Sequence, residues 1–262
     1  MKFLLTFGYQ ITQGYKIKKP KRSEEYVYWK DFIRKGLNYQ DNQAVHTGKD
    51  TPAVILHSGG TTGTPKGIVL TNGNFNALSK QAKIVFKDVT IGTKILAIMP
   101  IFHGFGLGVS INAPLALGCE VILIPQFNAK KFDKLIEKYK PNILFGVPTL
   151  YEALINTNNH HLNLSMLTYV ISGGDSLSTT LERKINVFLE NHHAKVKISQ
   201  GYGMTESLAA VALAYGKANK PGSIGIPFPS NYIKIVNPKT QDELPYGQDG
   251  EICISGPTVM LG

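Results

Sequence analysis

Short apolar, β-branched runs recur along the chain at residues 53–57, 95–99, 121–124, 142–146, 169–172 and 196–199, and stretches of helical periodicity fall between most of them. A helix is predicted over 74–86. A second, over 130–139, places Phe132, Leu135, Ile136 and Tyr139 on one face, and a third, over 178–191, repeats Leu181, Ile185, Phe188 and Leu189. Ser178 supplies a hydroxyl suited to cap the third helix, and Glu182 puts an acid in its first turns. Strands alternating with helices predict an α/β class, a layered fold with a largely parallel sheet and flanking helices. In such a sheet, ligands gather in the loops beyond the strand C-termini.

After Gly222 the periodicity changes. Residues 231–236 and 251–255 read as strands separated by the turn Asn237-Pro238-Lys239-Thr240, with no helix between them. The expected organisation is therefore an irregular lead-in over 1–50 with a short helix around Trp29, Phe32 and Ile33, an α/β core over 51–221, and an incomplete β-rich subdomain over 222–262.

The most informative loop follows the apolar run Ala53-Val54-Ile55-Leu56 and reads His57-Ser58-Gly59-Gly60-Thr61-Thr62-Gly63-Thr64-Pro65-Lys66-Gly67. Glycines let backbone N–H groups approach an anion, threonine hydroxyls add donors, and the lysine adds charge, so the composition suits a polyphosphate. The Walker P-loop needs lysine directly after glycine and a hydroxyl residue directly after lysine; here Pro65 precedes Lys66 and Gly67 follows it. The dinucleotide pattern G-x-G-x-x-G is absent from the loop.

Further blocks follow in order: Met99-Pro100-Ile101-Phe102-His103-Gly104, Gly146-Val147-Pro148-Thr149, Ser172-Gly173-Gly174-Asp175, Gln200-Gly201-Tyr202-Gly203-Met204-Thr205-Glu206-Ser207, Gly222-Ser223-Ile224-Gly225-Ile226-Pro227 and Gly250-Glu251-Ile252-Cys253-Ile254-Ser255-Gly256. Together with the loop, these resemble the adenylate-forming (AMP-binding) enzymes, most closely the bacterial long-chain fatty acyl-CoA synthetases. The resemblance covers roughly residues 20–262.

That resemblance implies ATP-dependent activation of a fatty acid to an acyl-adenylate and then to acyl-CoA, with ATP, Mg²⁺ and CoA as cofactor and co-substrates. It places Ser58, Gly59, Gly60, Thr61, Thr62, Gly63, Thr64 and Lys66 around the β- and γ-phosphates. Gly173, Gly174 and Asp175, with Gly201, Tyr202, Gly203, Met204 and Thr205, border adenine, the α-phosphate and the acyl carboxylate. Tyr202 would stack on adenine, Thr205 would donate to the α-phosphate, and Glu206 would ligate the metal. His103 would border the carboxylate and gate the acyl pocket. Thr205, Glu206 and His103 are the candidate catalytic residues. Gly104, Gly106 and Gly108 form a small-residue face that fits either an acyl chain lying close or helix-on-helix packing.

Composition adds few constraints. The chain has 262 residues, 43% hydrophobic and 18% charged, ordinary for a folded protein with a core. A net charge of +10 is concentrated partly in Lys16-Ile17-Lys18-Lys19-Pro20-Lys21-Arg22. That run reads as a solvated basic segment, without the accompanying motif a nucleic-acid partner would require. Peripheral contact with a membrane suits a fatty substrate. Cys119 and Cys253 lack metal spacing and read as reduced core thiols, consistent with a cytoplasmic setting, either free or peripheral at the inner membrane face. His160-His161 and His192-His193 read as surface residues, since adjacent histidines on a helix diverge and no acidic or thiol partner has suitable spacing.

The family pattern continues beyond Val259-Met260-Leu261-Gly262 into a ribose-binding aspartate and a domain carrying a lysine that assists adenylation. The expectation is a partial N-terminal domain, not competent alone. Two other readings share the residues: an adenylation domain that loads an aryl, amino or acyl group onto a carrier protein, and a nucleotide-binding remnant without turnover.

Overall fold

The computed structural model describes residues 27–37, 47–59 and 65–262. By internal contacts the chain divides into Met1–His46 and Thr47–Gly262. The first unit contributes one described helix, α1 (Trp29–Gly36), whose Trp29 and Phe32 rings stack with centroids 5.7 Å apart. Asp31 near its start and Arg34 and Lys35 near its end match the polarity of the helix dipole.

The second unit begins with a hairpin. Strands β1 (Pro52–Gly59) and β2 (Pro65–Thr71) pair antiparallel, so the apolar run before the glycine-rich loop has its partner in the residues after it. Helix α2 (Asn72–Val85) follows without a break. A reciprocal cap starts it: the Asn74 N–H donates to Thr71 Oγ1 at 3.2 Å, and the Thr71 N–H donates to Asn74 Oδ1 at 2.8 Å. Its buried positions Leu78, Gln81, Ala82 and Val85 fall at helical spacing.

The main sheet has seven strands among the described residues: β3 (Lys94–Ala97), β4 (Glu120–Leu123), β5 (Ile143–Gly146), β6 (Tyr169–Ser172), β7 (Ile198–Tyr202), β8 (Ala212–Leu213) and β9 (Ile226–Pro227). Their order is β4-β3-β5-β6-β7-β8-β9. The first five run parallel, and β8 and β9 add on antiparallel. Alternate residues serve opposite faces: Leu96, Leu144, Val170 and Ile198 enter one core, while Ile95, Ile143, Phe145 and Ile171 enter the other. A parallel sheet buried on both sides reads as near-continuous apolar runs, as these strands do.

The first core is covered by α4 (Phe132–Tyr139), α5 (Pro148–Ile155) and α6 (Thr179–Asn191), which bury Phe132, Ile136, Leu150, Tyr151, Leu154, Ile185 and Leu189. The second is covered by α2 and by a wide helix, Phe105–Asn112, that continues into α3 (Ala113–Ala116). The remaining ribbon, β10 (Tyr232–Val236) with β11 (Glu251–Ser255), is antiparallel and carries the strands expected there.

The layered α/β class with a mostly parallel sheet is as expected, and so is the Ser178 cap, whose hydroxyl accepts from the Leu181 N–H at 3.2 Å. Four local readings need correction. β7 starts at Ile198 and runs on to Tyr202, because Gly201 and Tyr202 find ladder partners in Leu213 and Ala212. The helix expected from residue 130 begins as a 3₁₀ turn, Ala129–Lys131, capped by Asn128, and becomes α only at Phe132. Strand β2 was not anticipated, because glycine and proline punctuate its start. The eight-residue wide helix Phe105–Asn112 was not anticipated either; its two glycines, Gly106 and Gly108, weaken any helical prediction.

Candidate functional site

The parallel strands point their C-terminal ends at one edge, and the sequence blocks collect there. β5 ends at Gly146, β6 ends at Ser172 and releases Gly173-Gly174, and β7 ends at Tyr202 and releases Gly203-Met204 into a 3₁₀ turn, Thr205–Ser207. The Gly173 N–H donates to the Gly146 carbonyl at 3.0 Å, which keeps the two strand ends level. Gly174 has φ +78°, a left-handed conformation that glycine adopts without cost.

The turn after β7 is tightly built. Ser207 Oγ donates to the Met204 carbonyl at 3.2 Å, and the Ala209 N–H donates to the same carbonyl at 2.9 Å. Leu208 and Ala209 both take positive φ, and the chain folds back so closely that a Cβ on Gly203 would lie 1.9 Å from the Ala209 carbonyl oxygen. Only glycine fits this position. The folding-back presents half-buried Thr205 and Glu206 at the rim.

These segments enclose a narrow pocket of about 70 Å³. It is lined by His103 and Phe105, by Gly173 and Gly174, by Gly201 to Thr205, and by Ala209, Ala210 and Phe228. His103 is exposed, and its backbone N–H donates to the Pro100 carbonyl at 3.1 Å. Of the expected residues, His103, Gly173, Gly174, Gly201, Tyr202, Gly203, Met204 and Thr205 meet on one wall system. Asp175 does not join it; its carboxylate turns back to accept from the Ser176 N–H at 2.7 Å.

The hairpin stands beside this rim. Ser58 pairs with Lys66 and Gly59 with Pro65 at the end of the β1–β2 ladder, so the exposed Lys66 and half-buried Ser58 flank the loop on either side. Gly60, Thr61, Thr62, Gly63 and Thr64 lie outside the described residues. Residues 260–262 connect the hairpin to the rim. The Met260 N–H donates to the Glu206 carbonyl at 2.7 Å, the Leu261 N–H to the Val69 carbonyl at 2.9 Å, and the Val69 N–H to the Gly262 carbonyl at 2.8 Å.

Among the described residues no cation pairs with the Glu206 carboxylate, and no three His, Cys, Asp or Glu side chains cluster as a closed metal cage. A lone carboxylate at an open rim suits a hard cation that keeps water and takes its other ligands from phosphate. His160 and His161 are exposed in a turn, and His192 stacks on Phe188 at 4.0 Å, with Nδ1 2.8 Å from the Phe188 carbonyl. Phe105, Val109, Ala209, Ala210 and Phe228 line the pocket without having been singled out from sequence. The four-residue spacing of Phe105 and Val109 was the available signal; nothing local marks Phe228. A wider cleft of about 920 Å³, between α4 and α5, is lined by Lys130, Lys134, Glu137 and Asn158 and contains none of the sequence blocks. Size alone does not identify the site. Among the described residues no helix is long and apolar enough to cross a membrane.

Residues 9–262 match the family model described as AMP-binding enzyme. The chain is 36% identical over 214 residues to a long-chain-fatty-acid–CoA ligase of Bacillus subtilis, covering 80% of this chain and 37% of that relative. It is 37% identical over 221 residues to a 4-coumarate–CoA ligase-like protein of Arabidopsis thaliana, covering 82% and 38% respectively. The crystal structure of ATP-bound MatB from Rhodopseudomonas palustris superposes with a TM-score of 0.76 at 28% identity, covering 85% of this chain and 43% of that one. The chain thus spans about two fifths of the length of these relatives.

Proposed function

The chain belongs to the AMP-binding enzyme family, and from that premise we propose that it forms the nucleotide- and acid-binding part of an AMP-forming carboxylate–CoA ligase acting on a fatty acid. The observation that carries the reading is the convergence of His103, Gly173-Gly174 and Tyr202 to Thr205 on one pocket at the C-terminal edge of the sheet. That is where such folds bind ligands.

Joining a carboxylate oxygen to the α-phosphorus of ATP breaks the α–β phosphoanhydride bond and releases pyrophosphate, and it requires one anion to attack another. The demand is for positioning and positive charge more than for proton transfer. Lys66 stands at the hairpin end to draw the polyphosphate toward the glycine- and threonine-rich loop. The Thr205 hydroxyl would donate to the α-phosphate, and the Tyr202 ring would cover adenine. Gly173 and Gly174 let the carboxylate come close to backbone, and His103 stands at the mouth where the acid enters. The Glu206 carboxylate would hold Mg²⁺, which when bound offsets phosphate charge. The thiol of CoA is the proposed acceptor.

The test is calorimetric titration with AMP, a free fatty acid and an acyl-sulfamoyl-adenosine, a stable mimic of the mixed anhydride. The mimic is expected to bind at least about a hundredfold more tightly than either half, because the two halves then bind as one molecule. A mimic no tighter than AMP would overturn the acyl-adenylate reading.

A further inference from the structure

Helix α1 buries none of its residues, although half of its surface is apolar. At about 100° per residue, Trp29, Phe32, Ile33, Gly36 and the C-cap Leu37 fall within about 140° of one another. The side chains of that face are open: Trp29 is 72% exposed, Phe32 57%, Ile33 44% and Leu37 79%. The Trp29 and Phe32 rings stack at an interplanar angle of 26°, which joins them into one broad apolar surface. The rest of the helix is charged. By the same angular count Lys30 and Lys35 stand next to the two edges of the apolar face. Arg34 lies on the far side, where it pairs with Asp31 at 3.9 Å. In the sequence the helix follows Lys16-Ile17-Lys18-Lys19-Pro20-Lys21-Arg22, five cations in seven residues.

We propose that α1 lies in the surface of an anionic lipid bilayer, with Trp29, Phe32, Ile33 and Leu37 at the boundary between headgroups and acyl chains. The edge of the face argues for lipid. Lysines at both margins of an apolar stripe reach headgroup phosphates while their methylene stems stay with the stripe. The single acid, Asp31, is on the far side, away from that surface. The aromatic pair also fits, since indole rings favour the interfacial layer. At about 12 Å the helix is too short to cross a bilayer and long enough to lie in one. The basic run adds attraction: each lysine or arginine near an anionic surface strengthens attachment about fivefold, and salt screens it. The proposal stands apart from the acyl-adenylate reading. Where both hold, a ligase for fatty acids works beside the phase in which its substrate dissolves.

Trp29 is the single tryptophan of the chain, so its emission reports this helix alone. The whole chain is titrated with vesicles of phosphatidylcholine and phosphatidylglycerol in equal parts, and with phosphatidylcholine alone, following tryptophan emission and co-sedimentation. Without vesicles, Trp29 should emit as a solvated indole and be quenched freely by acrylamide. The mixed vesicles should move its emission to the blue, shield it from acrylamide and carry the protein down. Neutral vesicles, or about 0.5 M NaCl, should weaken binding at least about tenfold. Ile33→Asp puts a charge in the apolar face and should lose at least about tenfold in affinity for the mixed vesicles. Lys30→Gln with Lys35→Gln should lose about twentyfold on mixed vesicles and nothing on neutral ones. Both variants should keep the AMP affinity and melting temperature of the parent. Blue, shielded emission before vesicles are added would mean that the protein itself covers the face. Sedimentation without a shift of Trp29 would place the lipid contact on another surface. Equal binding to neutral vesicles would remove the cationic edge from the account. Each of these results overturns the proposal.

Discussion

The backbone N–H of Met260 donates to the carbonyl of Glu206 across 2.7 Å, and the next two residues pair with Val69 of β2. Three consecutive residues therefore bridge the turn that presents Thr205 and Glu206 to the hairpin that presents Ser58 and Lys66. The proposed metal ligand and the proposed phosphate lysine come from distant parts of the sequence. Their relative position depends on this short strap. Because its bonds are all backbone to backbone, many side chains at 260–262 would serve equally well.

The strap is anchored by Asn74. Its Nδ2 donates to the carbonyls of Pro257 and Val259, both at 2.9 Å, while Oδ1 accepts from the Thr71 N–H. Asn74→Ala strands buried carbonyls and removes half of the α2 cap, so urea unfolding should show a loss of about 2–3 kcal/mol. AMP binding should weaken with it, since the rim and hairpin lose their tie. Unaltered stability would mean that residues 257–259 hold their place without Asn74.

Gly203 has no room for a side chain, with the Ala209 carbonyl oxygen 1.9 Å from where a Cβ would sit. Gly203→Ala must open the turn that carries Thr205 and Glu206. The expected cost is on the order of 1–3 kcal/mol of strain, seen as a lower melting temperature, and AMP affinity should fall at least about tenfold. Gly59→Ala, where nothing lies within 4 Å of the added carbon, is the control and should melt like the parent. If the two variants behave alike, the close approach is not what holds the turn.

Legibility from sequence followed the range of the interactions. β5 and β6 and their turns were readable because buried parallel strands are apolar runs closed by glycine, as in Ile143–Gly146 and Tyr169–Ser172. The Ser178 cap was readable because capping is local. β2 was not, since its partner lies across the glycine-rich loop and its own first residues are Pro65, Lys66 and Gly67. Phe228 was not, because it reaches the pocket through the antiparallel pairing of β9 with β8, a contact that no local pattern encodes. Asp175 adjoins the glycine pair in sequence, yet its carboxylate is spent on its own turn.

Glu206→Gln keeps the size of the side chain and removes the charge a hard cation needs. Titration should show Mg·ATP affinity falling about tenfold or more, with metal-free AMP affinity unchanged, because only the former uses the metal. Equal losses for both nucleotides would assign Glu206 to shaping the turn instead. Unchanged Mg·ATP affinity would move the metal elsewhere.

Tyr151 tests the floor beneath the pocket. Its fully buried hydroxyl donates to the Ile171 carbonyl at 2.7 Å, with the Leu144 carbonyl 3.1 Å away on the adjacent strand. Both carbonyls lie two residues before the strand-end glycines Gly146 and Gly173, so this phenol ties β5 to β6 directly under the site. Burial pushes its ionisation far above the ordinary phenol range. The unfolded chain still ionises near pH 10, so the folded state then holds the extra proton and its advantage is lost as pH rises, by about 1.4 kcal/mol per pH unit above pH ~10. Tyr151→Phe should cost about 1–2 kcal/mol at pH 7 through the lost hydrogen bond. Because every other group titrates alike in the two proteins, the difference in their unfolding free energies should shrink steadily from pH 10 to 11. A difference that stays constant over that interval would mean Tyr151 ionises as readily folded as unfolded, and the phenol would not be the sealed tie between β5 and β6.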